Sequence, residues 1–195
     1  GDVYKRQDQE VELGYQSAFG AFGIALDAPD LAQRLDGLRD TPLGARLALG
    51  FDAWARVGRR LRSDEAITRD DELLTGLGLD VDSDPHRTSI RRALIARDAS
   101  SLVELARSSR LEALPPETLS LLVSALDELR SPAEARRVAT VAADLHSSTF
   151  ALIHAAGIAH LRARSLPIAE TYLRASVAMR PGMPLLHAQL AAVQR

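Results

Sequence analysis

The chain contains no cysteine and no asparagine, a single lysine (Lys5), and only 4% aromatic residues. Lack of cysteine excludes disulfides, Fe–S clusters, cysteine-ligated zinc and a thiol nucleophile. Scarce aromatics leave an aliphatic, alanine-rich core, and small side chains suit close helix–helix packing better than β-sandwich layers. No apolar run reaches the roughly 18 residues of a membrane span. The best stretch, around Ala151–Ala159, is interrupted by His154. No secretory signal is visible, so a cytoplasmic location is the default expectation. Neither charge sign dominates: 24 basic and 26 acidic residues give a net of −2. That balance argues against duplex nucleic acid, which favours a basic face.

Residues 2–7 read DVYKRQ, which matches the in-frame translation of a transposon end used to fragment DNA for sequencing. Residues 1–7 are therefore expected to be a scar with a disordered start, outside the fold. Removing Asp2, Lys5 and Arg6 leaves 22 basic and 25 acidic residues, a net of −3. At the other end, Leu185, Leu186, Ala188, Leu190, Ala191 and Val193 run into Arg195 with no Gly cap or polar tail. Repeat arrays normally close with an atypical polar cap. The expectation is an interior fragment, cut at both ends, from a GC-rich genome.

What is present is helical periodicity. Apolar stripes of period 3.6 recur throughout, and no segment shows sustained β-type alternation. Val11–Phe22 places Val11, Tyr15, Ala18, Phe19 and Phe22 on one face, and Pro29 opens a short helix with Leu31 and Leu35. Thr41 with Pro42 forms a cap-plus-proline start. The helix that follows runs to about Leu61 and is expected to carry Leu43, Leu47, Phe51, Trp54, Val57 and Leu61 inward. Arg56, Arg59, Arg60 and Arg62 decorate its end. Residues Ile67–Leu77 predict a shorter helix, residues 76–84 (GLGLDVDSD) a loop, and Asp84-Pro85 another helix start. A helix to about Arg97 and its partner Ser100–Ser109 come next. The clearest hairpins pair Pro116–Leu129 with Pro132–Leu145, and Ser148–Arg162 with Pro167–Met179. Pro181 and Pro184 precede a last helix. Short connections make successive helices antiparallel neighbours. The expected division is a helical region over 8–80 and a repeat array over 81–195, with the seam in the 76–84 loop.

The array has a register. Slid by 34 residues, Leu119, Leu122, Val123, Leu126 and Ala135 land on Ile153, Ala156, Gly157, His160 and Ala169. One more step aligns His187 with Ile153, and Leu190 with Ala156. A mid-helix glycine costs up to about 1 kcal/mol against alanine, so Gly157 needs a packing reason: close approach of a neighbouring helix. Ala135 and Ala169 would set the crossing distance inside each hairpin, and Pro181 would end the second. In its Gly157, Ala169 and Pro181 spacing the hairpin resembles a tetratricopeptide repeat (TPR), whose period is 34 residues. It departs at Ile153, His160 and Leu173, where that family carries large aromatics. The resemblance implies an all-α fold of antiparallel hairpins stacked as a right-handed TPR-like solenoid. It also implies an inner groove lined by Glu117, Ser120, Ser124, Asp127, Glu128, His154, Ile158 and Arg162. Packing would fall to Leu119, Leu122, Ala135, Ile153, Gly157, Ala169, Leu173 and Pro181. The Lys/Asn clamp that some such repeats use for C-terminal carboxylates cannot be built here.

The order of segments also resembles the C-terminal region of large planctomycete-type serine/threonine protein kinases. The matching pieces are YQSAFGAFGIALD (15–27), LALGFDAWARVGRRL (47–61), DPHRTSIRRALIARDASSLVELA (84–106) and LPPETLSLLVSAL (114–126). His86 stands where that family usually has Trp. The resemblance implies a non-catalytic regulatory or scaffolding tail that binds a protein or peptide, needs no cofactor and does not engage nucleic acid. The Gly-rich loop, HRD and DFG motifs of the kinase domain are missing from this segment. The alternative is a helical ligand-sensing region of another multidomain regulator.

Other constellations point to ordinary structure. Asp80, Asp82 and Asp84 have the opening spacing of a calcium loop, but Pro85 and Arg91 stand where its Gly and bidentate Glu belong; capping and a solvated loop are expected. His154 and His160 are six residues apart, not the i, i+4 of a helical metal pair. Arg87, Arg91 and Arg92 form a basic patch expected to be a solvated face.

Overall fold

The computed structural model describes the backbone of residues 2–61 and 69–194, and the side chains of 8–59, 61 and 70–194. The expected roles of Arg60 and Arg62, and the helix start at Ile67, lie outside the described residues. Those residues hold eleven α-helices, one 3-10 turn and no strand. None of the helices is long and apolar enough to cross a membrane. The chain divides into two compact units, Gly1–Ile95 and Ala96–Arg195, so the division falls later than the 80/81 boundary expected from sequence.

The first unit contains α1 (Asp2–Ala21), α2 (Leu31–Asp36), α3 (Pro42–Leu61), α4 (Arg69–Val81) and α5 (Pro85–Ala96). Helix α1 begins at Asp2, which corrects the expectation of a disordered start. KRQDQEVEL contains no Pro or Gly and is rich in good helix formers. The expected one-sided face on α1 is only partly present: Phe19 is buried and Tyr15 half-buried, while Val11, Ala18 and Phe22 are exposed. Phe19 stacks on Phe51 at 4.9 Å and on Trp54 at 5.4 Å between ring centroids. Leu31, Leu35, Leu74, Leu77 and Val81 close this core.

Helix α3 starts as its sequence predicts. The Thr41 hydroxyl oxygen accepts from the Gly44 N–H at 3.0 Å and donates to the Leu38 carbonyl at 2.6 Å. Gly44 is required there: a Cβ would sit 2.2 Å from the Leu38 carbonyl oxygen and 2.6 Å from that of Val81. Leu43 points to solvent at 54% exposure, not inward. Residues 76–81, expected as loop, form the last turns of α4. Leu74, Leu77 and Val81 share one buried stripe, and its burial outweighs the propensity cost of Gly76 and Gly78.

The second unit contains α6 (Ala99–Ser108), a 3-10 turn (Leu111–Ala113), α7 (Pro116–Glu128), α8 (Pro132–Leu145), α9 (Phe150–Arg162), α10 (Leu166–Met179) and α11 (Pro184–Val193). The 34-residue register is written into the backbone. Helices α7 and α9 have 13 residues each, and α8 and α10 have 14 each. Arg130 and Arg164 both take φ 58°. At these turns Ser131 N–H donates to Leu126 O and Ser165 N–H to His160 O, closing Schellman-type ends. At the far ends, His146 N–H donates to Ala142 O and Arg180 N–H to Ser176 O. The same chemistry thus punctuates both hairpins.

Candidate functional site

The residues expected to pack the repeats lie on α7, α8, α9 and α10, with Pro181 after them. Leu119, Leu122, Ala135, Ile153, Ala169 and Leu173 are buried, while Pro181 is exposed in the turn before α11. Gly157 sits under Leu173: a Cβ there would lie 3.0 Å from two Leu173 carbons. Helices α9 and α10 therefore meet closely at the position that lacks a side chain.

The expected groove residues lie on α7 and α9. Glu117, Asp127 and Arg162 are exposed; Ser120, Ser124, Glu128, His154 and Ile158 are half-buried. Polar links cross between the first helices of successive hairpins at nearly constant offset. Arg162 on α9 pairs with Asp127 on α7. His154 on α9 meets Gln189 on α11 at 2.8 Å, with its Nε2–H donating to the amide oxygen. These links bring α7, α9 and α11 side by side as one face. Ile158 is less available than expected, because it packs on the cluster of Ala169, Leu173 and Val193. Phe150 supports the face from the other end of α9: His154 stacks on its ring at 5.6 Å, and the Arg180 guanidinium carbon lies 4.1 Å from its centroid. Sequence reading missed Gln189, Phe150 and Arg180. Gln189 was recoverable, since it stands one repeat and one residue beyond His154.

His160 belongs to the joint between hairpins, not to the groove. The Thr140 hydroxyl donates to the Arg136 carbonyl at 2.9 Å, so it accepts the Nε2–H of His160, also at 2.9 Å. The ring stacks on Tyr172 at 5.9 Å, whose hydroxyl donates to Asp144 at 3.1 Å. Nδ1 is buried without a partner. Burial, and then the neighbouring Arg136 cation, push the imidazole below its ordinary range.

In the first unit the expected solvated basic patch is wrong for two of its three arginines. Arg91 is 0% exposed and Arg87 is mostly covered; only Arg92 is exposed. Arg91 grips Asp52 on α3 at 2.7 Å and Asp82 at 2.8 Å. Arg87 reaches Asp82 at 2.6 Å. Asp82 is thus a buried anion, not part of a solvated loop. Burial pushes its carboxyl up, but the bonds from Arg87 and Arg91 outweigh that and hold it at about 2. Asp84 does cap α5 as expected, accepting from Arg87 N–H at 2.8 Å. Asp52, hidden in the apolar face of α3, was the one sequence signal that a buried cation would be needed. Asp52 and Asp82 are thus neutralised by Arg87 and Arg91. Among the described residues no group of three or more His, Asp or Glu could hold a metal ion.

Comparison with protein-family models, curated proteins and solved structures found no match for the chain.

Proposed function

We propose that Pro116–Val193 is a TPR-like array of stacked, right-handed hairpins whose α7–α9–α11 face binds a protein or peptide segment. The observation carrying this reading is the recurrence of helix lengths and turns at a 34-residue interval. Repeats of this kind bury their apolar faces against each other and leave extended surfaces for partners. The face offers a hydroxyl at Ser120, an amide at Gln189 and an aromatic support at Phe150, a set suited to a polar peptide backbone. The chain would act by binding, with catalysis elsewhere.

Peptide display tests the binding reading. The protein is expected to enrich short peptides from a random 12-residue library, and a His154→Ala/Gln189→Ala variant with an unchanged melt is expected to lose them. Enrichment unchanged in that variant refutes the face as the site. We further propose, from the resemblance of residues 15–27, 47–61, 84–106 and 114–126, that the array belongs to the tail of a bacterial serine/threonine kinase. Sequencing the gene upstream decides this. HRD and DFG motifs support it, whereas a DNA-binding or receiver domain ends it.

A further inference from the structure

Among the described residues, four non-glycine positions adopt left-handed backbone: Asp40, Arg97, Arg130 and Arg164. Three of the four are arginines. A side chain with a Cβ is strained in that region and glycine relieves it, so the turn itself does not call for arginine. Arg130 and Arg164 occupy identical turns, one between α7 and α8 and one between α9 and α10. The two turns are neighbours, because the ion pair of Arg162 with Asp127 joins the last turns of α7 and α9.

Five other arginines of this unit are engaged, while Arg97, Arg110 and Arg136 share with Arg130 and Arg164 the lack, among the described residues, of a hydrogen-bonded or ion-paired side-chain partner. Only Arg130 and Arg164 stand on repeat-equivalent turns. Arg107 and Arg137 share Glu134, Arg162 has Asp127, Arg174 has Glu170, and Arg180 lies over Phe150. Arg130 and Arg164 are exposed and, among the described residues, their side chains form neither a hydrogen bond nor an ion pair. Asp127, three residues before Arg130, is already paired with Arg162. Two strained, unneutralised guanidinium groups therefore stand on adjacent turns, each with the forked donor geometry that matches a carboxylate.

We propose that the edge formed by residues 129–131 and 163–165 docks an acidic protein segment, with Arg130 and Arg164 each gripping a carboxylate. A protein fits better than a nucleic acid. Two cations, one on each turn, offer no continuous basic track for a phosphate backbone, whereas a peptide can place its carboxylates singly. This edge lies at the hairpin turns, not on the α7–α9–α11 face, so either surface can fail without the other.

The test titrates the whole chain into a fluorescein-labelled 12-residue peptide of alternating Glu and Ala, read by anisotropy. The double variant Arg130→Gly/Arg164→Gly is expected to melt at or above the wild-type temperature, since the turns are relieved. Its binding should be weaker by about tenfold or more, the loss of charge-assisted bonds. Arg130→Gln/Arg164→Gln, which keeps each Cβ, should lose binding to the same degree. Arg174→Ala, which removes a cation already paired, should stay within about twofold of wild type. Wild-type affinity in either double variant overturns the proposal. So does an equal loss in Arg174→Ala, which would make the effect one of net charge, or tighter binding of a 12-nucleotide single strand than of the peptide.

Discussion

The two units reach the same class of helical structure by opposite means. In Gly1–Ile95 the core is assembled from contacts that occur once: an aromatic stack of Tyr15, Phe19, Phe51 and Trp54, and a buried knot of Asp52, Asp82 and Arg91. In Ala96–Arg195 the buried apolar residues are Leu, Ala, Val and Ile without a Phe, Tyr or Trp, and the same turn is used twice. The first core is specified by unlike parts that fit each other. The second is specified by a small pattern of helix lengths and turns that is used twice. Damage should therefore spread through the first unit and stay local in the second.

Ala169→Arg should have the largest effect. The site is 0% exposed, and an unpaired charge there costs several kcal/mol. Helical signal by circular dichroism should fall at lower temperature, while Trp54 fluorescence, the single tryptophan and a reporter of the first unit, should keep its transition. A joint shift of both signals would erase the contrast between the units. Arg91→Ala comes next and reverses the pattern. It strands two buried carboxylates at a cost of about 3–5 kcal/mol, and denaturant titration should show the Trp54 transition moving to lower midpoint.

Gly157→Ala sets two effects against each other. Alanine gains about 1 kcal/mol of helix propensity, but its methyl would press on Leu173, and overpacking costs about 1–3 kcal/mol. A modest net loss is expected in the second unit alone; a gain would show that α9 and α10 can separate freely. His160 sharpens the comparison through pH. Its folded-state value lies below the ordinary 6.5, through burial first and Arg136 second. The folded protein thus binds fewer protons than the unfolded one, and stability is full above about 6.5 and declines as pH falls through the folded value. Melts of His160→Gln should show a flatter pH dependence than wild type below pH 6.5. The smallest effect belongs to Arg162→Ala. Both partners of that ion pair are about half exposed, and such pairs contribute about 0–1 kcal/mol, so the melt should barely move.

How legible each unit was follows from the same difference. The hairpins between Pro116 and Met179 were readable to within one or two residues, because proline starts, Gly157 and the alanine columns repeat and correct one another. The first unit was readable only where local chemistry decides, as at Thr41–Pro42 and Asp84–Pro85. Its errors came from tertiary contacts. The tail of α4 remains helical because Leu77 and Val81 find a core, and Arg91 is buried because Asp52, 39 residues away, requires it. No local window contains both partners. Of the expected groove, Asp127, His154 and Arg162 take part in links between α7, α9 and α11. Gln189 and the Phe150–Arg180 contact depend on which helices become neighbours.

The paired turns at Arg130 and Arg164 also bear on how such a chain could change its length. The helix lengths and helix-end carbonyl bonds between Pro116 and Leu145 have counterparts between Phe150 and Met179. A duplication or excision of one such cassette, spliced at equivalent residues, would keep the backbone turn at each junction. The molecule could then be lengthened or shortened in whole hairpins, like a ruler cut only at its marks, without a new turn having to be invented.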